Sequence, residues 1–180
     1  MLIEAARSAL LLIDLQARLA PAIHDTGTVQ HNALWLLRLA QRLGVPAVAT
    51  EQYPAGLGPT VAALAAQLAP ADIVEKIHFS AVADGRLQGH AAYARPQMVI
   101  AGTEAHVCVL QTALDLRAAG KEVFVVADAV GSRRPADRDL GLDRMRQAGC
   151  WIVSREMVAF EWLRRAGTET FRQISREFLR

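Results

Sequence analysis

Only two cysteines occur in the chain, Cys108 and Cys150, which excludes the disulfide framework that staples small secreted domains. No apolar run approaches the roughly 20 residues that a membrane-spanning helix needs. The first sixteen residues, MLIEAARSALLLIDLQ, carry no basic leader, and their apolar stretch stops at Asp14. That stretch reads as a strand and not as a signal sequence. Charge of one sign is also lacking: 20 Lys and Arg against 18 Asp and Glu leave +2, too little to argue for nucleic acid. Neither a G-x-G-x-x-G turn nor a P-loop is present, so nucleotide binding by the usual fingerprints is unsupported. The expectation is a single domain over residues 1–180, cytoplasmic, with neither a nucleic-acid nor a membrane partner.

What is present is a globular composition, 52% hydrophobic and 21% charged over 180 residues, enough for a substantial core. Short apolar runs alternate with helical patterns along the whole length. Ser8 to Ile13 is apolar on both faces, as a central parallel strand should be. Thr28 could cap a helix from Val29 to Leu43, which Gly44 stops. Further strands are expected at 45–50, 72–75, 97–101, 122–127 and 150–153. Helices are expected at 61–68, 87–94, 105–119 and 137–147. The tail from Glu156 reads as two helices parted at Gly167, with Thr168 as a cap. Strands alternating with helices, without a repeat or linker, predict an α/β three-layer α/β/α sandwich around a parallel, Rossmann-like sheet.

Three reactive side chains stand at equivalent places in that pattern: Asp14 after strand one, Lys76 after strand three, and Cys108 just beyond strand four. All strands of a parallel sheet end on one edge, and ligands bind in the crevice there. A carboxylate can take a thiol's proton, and an ammonium nearby stabilises both anions. A helix start at Cys108 would lower the thiol's pKa, and backbone N–H groups around residues 104–108 could hold an oxyanion. A lone cysteine can also be a small hydrophobe, the reading kept for Cys150. Gln16, Gln52, Tyr53, Leu57 and Phe79 are candidates for the substrate pocket. His106 lies two positions before Cys108, which turns it away on a helix. Arg133, Arg134 and Arg138 read as a solvated loop and helix.

The segments LLIDLQ, TEQYPAGLGPT, EKIHFS and AGTEAHVCVLQTALDLRAAG resemble the isochorismatase-like cysteine hydrolase superfamily, in its short isochorismatase-domain-containing branch. The resemblance runs from Leu10 to about Ile174. It implies a six-stranded parallel sheet in the order 3-2-1-4-5-6 and a catalytic triad that maps onto Asp14, Lys76 and Cys108. It also implies a cis peptide joining Thr103 to Glu104, with Ala105 completing the oxyanion turn, and a homo-oligomer, dimer or tetramer. Related nicotinamidases bind a metal through an Asp-x-His…His motif after the second strand. The matching stretch here, TEQYPAGLG, has no histidine, so neither a metal nor another cofactor is expected. Together these readings predict a hydrolase acting on a small-molecule amide or related C–N bond through a thioester. The alternatives are a non-catalytic redox-sensing or protein-interaction module, and an isochorismatase-type vinyl-ether hydrolase.

Overall fold

The computed structural model describes residues 1–179. Among them, six strands form one parallel sheet: β1 (Ser8–Ile13), β2 (Ala47–Gln52), β3 (Ile73–Lys76), β4 (Gln97–Thr103), β5 (Glu122–Gly131) and β6 (Trp151–Val153). The spatial order is β3-β2-β1-β4-β5-β6, as the resemblance implied. The principal helices are α1 (Thr26–Leu43), α2 (Pro54–Leu57), α3 (Ala62–Ala65), α4 (Leu110–Ala118), α5 (Pro135–Gln147), α6 (Arg155–Leu163) and α7 (Glu169–Phe178). The three-layer sandwich is therefore the observed architecture.

The sheet is buried on both faces, which is why its strands are apolar runs and not alternating ones. In β1, Leu10 and Leu12 join the core beneath α1, α6 and α7. Ala9, Leu11 and Ile13 face the other way, into the core beneath α4 and α5. In β4 the same division puts Val99 and Ala101 on the first side, Met98 and Ile100 on the second. Phe124 stacks on Trp151 with ring centroids 4.9 Å apart, tying edge strand β6 to β5.

Several boundaries moved, each for a local reason. Helix α1 begins at Thr26 with Asp25 in the left-handed region, so Thr28 lies inside it. Helix α5 begins at Pro135, where the fixed φ and missing N–H suit the first helical position. Strand β5 continues past Ala127 to Gly131 through a bulge: Ile100 pairs with Val125, yet Gly102 pairs with Val130. The expected helix over 87–94 is two 3₁₀ turns, Leu87–Gly89 and Ala91–Ala94. His90 interrupts them, its ring accepting from the Ala92 N–H. The run over 61–68 contributes only the single turn α3. At the C-terminus, Gly167 separates α6 from α7, and the Thr168 hydroxyl accepts from Phe171 N at 3.0 Å. Arg180, the last residue of the expected tail, lies outside the described residues. No helix among those described is long and apolar enough to cross a membrane.

Candidate active site

Asp14, the residue that follows β1, is wholly buried and sits at φ 48°. A non-glycine residue there costs on the order of 1–2 kcal/mol, which its surroundings must offset. They do so on every side. The Thr50 hydroxyl, at the carboxyl end of β2, donates to Asp14 Oδ1 at 2.7 Å. The Thr103 hydroxyl, at the end of β4, donates to the Asp14 carbonyl at 2.7 Å. Lys76 Nζ, at the end of β3, reaches Asp14 Oδ2 at 2.7 Å. Four adjacent strands thus converge on one residue.

Lys76 is 2% exposed, and its ammonium is surrounded by acceptors. Besides Asp14, it donates to Gln52 Oε1 at 2.8 Å, Phe79 O at 2.9 Å and His78 O at 3.3 Å. Three ammonium protons face four oxygens, so the charge is fixed in place.

Cys108 is buried and free, near enough to the Asp14 carboxylate for that charge to bear on its thiol. It does not sit in the first turn of an α-helix. Residues Ala105–Val109 form a wide π-turn in which Val107 N and Val109 N both donate to Glu104 O at 3.1 Å. Helix α4 follows it. Such wide turns recur at functional positions, and here Gly141 of α5 packs against the turn. A Cβ on Gly141 would lie 3.0 Å from the Ala105 carbonyl. The peptide between Thr103 and Glu104 is cis.

The expectation of a lowered Cys108 pKa is overturned. Burial pushes the thiol up, and the neighbouring Asp14 charge pushes it further, while Lys76 only partly opposes them. A dipole at a solvated helix start cannot act where the thiol is desolvated beside an anion. Burial likewise raises the Asp14 carboxyl, against the pull of Lys76 and the hydrogen bonds it accepts. The resting pair is a thiol beside a carboxylate of raised basicity.

The remaining candidates divide between anchors and rim. The Gln16 side chain joins two loops: its amide donates to Gln52 O at 3.0 Å and Gly58 O at 2.7 Å, and accepts from Gln52 N at 2.8 Å. Gln52 bears on Lys76 directly. Tyr53 and Phe79 are 55% and 52% exposed beside the ends of β2 and β3, and Leu57 is half-buried. The Glu104 carboxylate pairs with Arg133 Nε at 2.7 Å, and His106 Nδ1 meets Ser132 Oγ at 2.9 Å. Arg138 is not simply solvated, since its guanidinium donates to the Val130 and Ala127 carbonyls across the β5 bulge. Thr50 escaped the sequence reading, although a hydroxyl closing a buried strand was the available signal. Glu51 escaped as well: its buried carboxylate accepts from Thr60 N at 2.6 Å and Thr60 Oγ1 at 2.7 Å. Among the described residues, no group of three or more His, Cys, Asp or Glu is arranged to hold a metal.

Comparison with known proteins converges on one family. Residues 8–157 match the model of the isochorismatase domain. Isochorismatase domain-containing protein 2 of Danio rerio is 39% identical over 171 residues, 94% of this chain and 85% of the relative. Among solved structures, the MAR1 ribonuclease of Caenorhabditis elegans superposes with a TM-score of 0.92 at 33% identity, covering 100% of this chain and 93% of that one. The YcaC gene product of Escherichia coli, an octameric hydrolase of unknown specificity, gives 0.86 at 31% identity over 92% of this chain and 83% of its own.

Proposed function

The chain belongs to the isochorismatase family, as a hydrolase of that family, and we propose that it cleaves a small amide or related C–N bond with Cys108 as nucleophile. The observation that carries this reading is the buried Asp14–Lys76 ion pair with the buried, free Cys108 thiol beside it. Asp14 takes the thiol proton as the sulfur attacks the carbonyl carbon. The oxyanion rests on N–H groups of Ala105 and Cys108, at the turn that follows Thr103 and Glu104. Asp14 returns its proton to the leaving nitrogen, and ammonia or an amine departs. Water, deprotonated by Asp14, then cleaves the thioester and regenerates the thiol. Lys76 keeps the site electrically balanced throughout. Tyr53, Leu57 and Phe79 form an apolar rim suited to an uncharged acyl group, while Gln16 and Gln52 brace the loop behind it.

A redox-sensing role fits less well. A sensor thiol is accessible and acidic, whereas burial and Asp14 push Cys108 the other way. The C. elegans neighbour's name raises RNA as a substrate. That activity asks for cations free to meet phosphate, and here Lys76 is committed to four acceptors and Arg133 to Glu104. Self-association is carried forward from the E. coli neighbour's octamer, with exposed Leu140, Met157 and Phe160 as apolar surface for it.

The deciding experiment is an ammonia-release screen over small amides, with an RNA oligonucleotide and a vinyl ether as competing substrates. Cys108→Ala and Asp14→Asn are each expected to lose at least about a hundredfold of the turnover. Unchanged turnover by Cys108→Ala would sink the covalent mechanism, and activity only on the vinyl ether or RNA would replace the substrate class.

A further inference from the structure

The reading of Lys76 as part of the site leaves a question of construction: what aims its ammonium. β3 is an edge strand, and residues 77–86 after it contain no helix or strand. Yet this segment supplies much of the site's scaffolding. The His78 and Phe79 carbonyls accept from Lys76 Nζ, and the Ile77 carbonyl accepts from the Gln52 amide, whose oxygen also accepts from Lys76. Burial does not hold its first residues, because Ile77 is 64% and Phe79 52% exposed, and the chain enters the core only at Ser80 and Ala81.

What holds it is a carboxylate seven residues along the chain from Ile77. Asp84 Oδ2 accepts from Ile77 N at 2.7 Å and from His78 N at 3.3 Å. Asp84 Oδ1 pairs with the His78 ring. The Asp84 side chain is only 12% exposed, against 64% for its histidine partner. Farther on, Ala81 N donates to the Thr112 hydroxyl at 2.9 Å, and Arg86 Nη1 donates to Glu75 O at 3.2 Å. The segment is therefore pinned to α4 at Ala81, while at its near end Gln52 and Lys76 take its carbonyls and Asp84 takes its N–H groups.

We propose that Asp84 is a positioning residue: its carboxylate fixes the backbone of residues 77–79, and the carbonyls of that backbone fix Lys76. The hydrogen bonds from His78 and from both backbone N–H groups hold the Asp84 carboxyl below its usual range, so the latch is ionised at neutral pH. Without it, the Ile77 and His78 N–H groups lose the carboxylate that bridges them. Lys76 then loses two of its four acceptors, and with them the fixed distance to Asp14. The positioning claim stands on these contacts; its bearing on chemistry rests on the cysteine hydrolase reading.

Two readouts separate the two. The first is the exchange of the Lys76 ammonium protons with water, followed by nitrogen-15 NMR in wild type, Asp84→Ala, Asp84→Asn and His78→Ala. The second is alkylation of Cys108 by iodoacetamide from pH 5 to 9, with Cys150 as an internal control for unfolding. Asp84→Ala is expected to speed Lys76 exchange at least about tenfold, as local opening does. It should also move the acid limb of Cys108 alkylation up by about one pH unit, because Lys76 no longer opposes protonation of the Asp14–Cys108 pair. Asp84→Asn, which keeps an acceptor for the N–H groups, should fall between, and carries the test if the alanine variant does not fold. His78→Ala keeps both backbone bonds and should match wild type in both readouts. Unchanged Lys76 exchange in Asp84→Ala overturns the proposal, as does a His78→Ala variant that reproduces it. Faster Lys76 exchange with no Cys108 alkylation in any protein supports the latch and removes the catalytic reading instead.

Discussion

Replacing Lys76 with methionine leaves the Asp14 carboxylate in the interior without its cation. Asp14 is 0% exposed and keeps the Thr50 hydroxyl as a donor. Breaking a buried pair from one side costs about 3–5 kcal/mol, because a charge remains desolvated and unpaired. Asp14 can relieve that cost by binding a proton, and this makes the penalty depend on pH. Burial already holds the carboxyl above its usual 3.8, with Lys76 as the largest opposing influence. Removing Lys76 raises it further.

The sign follows from proton binding. A carboxyl raised in the folded state contributes stability that is fully present below the unfolded value and is lost as pH rises through the folded one. At about 1.4 kcal/mol per pH unit, a deficit of about 3–5 kcal/mol spans roughly two to four pH units. Relative to wild type, Lys76→Met should therefore be close to normal near pH 4. The deficit should open as the raised wild-type carboxyl ionises, grow over roughly the next two to four pH units and then level off. Urea denaturation at each pH unit from 4 to 8 measures this directly. The double variant Asp14→Asn/Lys76→Met carries neither charge, so its deficit should be smaller and flat with pH. A Lys76→Met deficit equal at pH 4 and pH 8 would refute the reasoning, as would a double variant no more stable at pH 8 than the single one.

Gly102, at φ 132°, lies where a Cβ would stand 2.1 Å from the Ile13 carbonyl oxygen, next to Asp14. Gly102→Ala should cost more than about 3 kcal/mol, from a glycine-only conformation and a backbone clash together, read as a lower urea midpoint; a loss under about 1 kcal/mol counts against the close approach. Burial pushes the Cys150 thiol up to about 11 from 9.0, so its thiolate at pH 8 is about a hundredfold scarcer than in the unfolded chain. Alkylation of Cys150 in native protein should lag the urea-unfolded rate by at least that factor. Gln16→Leu removes the three bonds that join the β1 end to Gln52 and Gly58, at a cost of about 1–3 kcal/mol for groups left unpaired. It should also make the 53–58 loop a site of limited proteolysis, and an intact loop would show that the amide bridge is dispensable.

The strands were legible because burial on both faces writes itself as runs such as Ala9–Ile13 and Met98–Ala101, which no surface element imitates. Their spatial order was not legible in any spacing, since crossover helices of similar length can reach either neighbour; it came from the resemblance. The bulge in β5 hid behind Asp128 and Gly131, which lie beyond the strand end expected at residue 127. Asp128 serves there as a structural acceptor, its carbonyl taking the Asn32 amide and its carboxylate the Arg155 N–H. Chemistry-bearing residues at strand ends were visible by type. Their supports were not: Thr50, Glu51 and Asp84 act through partners 36, 9 and 7 residues away, and only the folded chain brings those together. The charge state of Cys108 failed for a related reason, because the dipole argument took for granted a solvated α-helix start that burial and the π-turn remove.

That failure sharpens the proposed chemistry. Lys76 and Asp14 together are neutral, and a thiolate at Cys108 would add a second negative charge to a desolvated cluster with one cation. The cluster stays neutral if the thiol proton moves to Asp14 and does not leave for solvent. Asp14 then does two separable things: it suppresses the free thiolate through its charge, and it carries protons to the leaving nitrogen and from water. Asp14→Asn removes both. With the anion gone, Lys76 faces the thiol with no competing carboxylate, and the thiolate becomes the partner that restores neutrality. Iodoacetamide labelling of Cys108 at pH 8 should therefore be at least as fast in Asp14→Asn as in wild type, while ammonia release falls by about 10²–10⁴ for want of the acid–base group. The wild-type labelling profile should flatten once Asp14 is ionised, whereas the variant's should continue to climb with pH. Labelling and turnover that collapse together in Asp14→Asn would show that the carboxylate is needed to generate the nucleophile, and the charge-balance argument would fall.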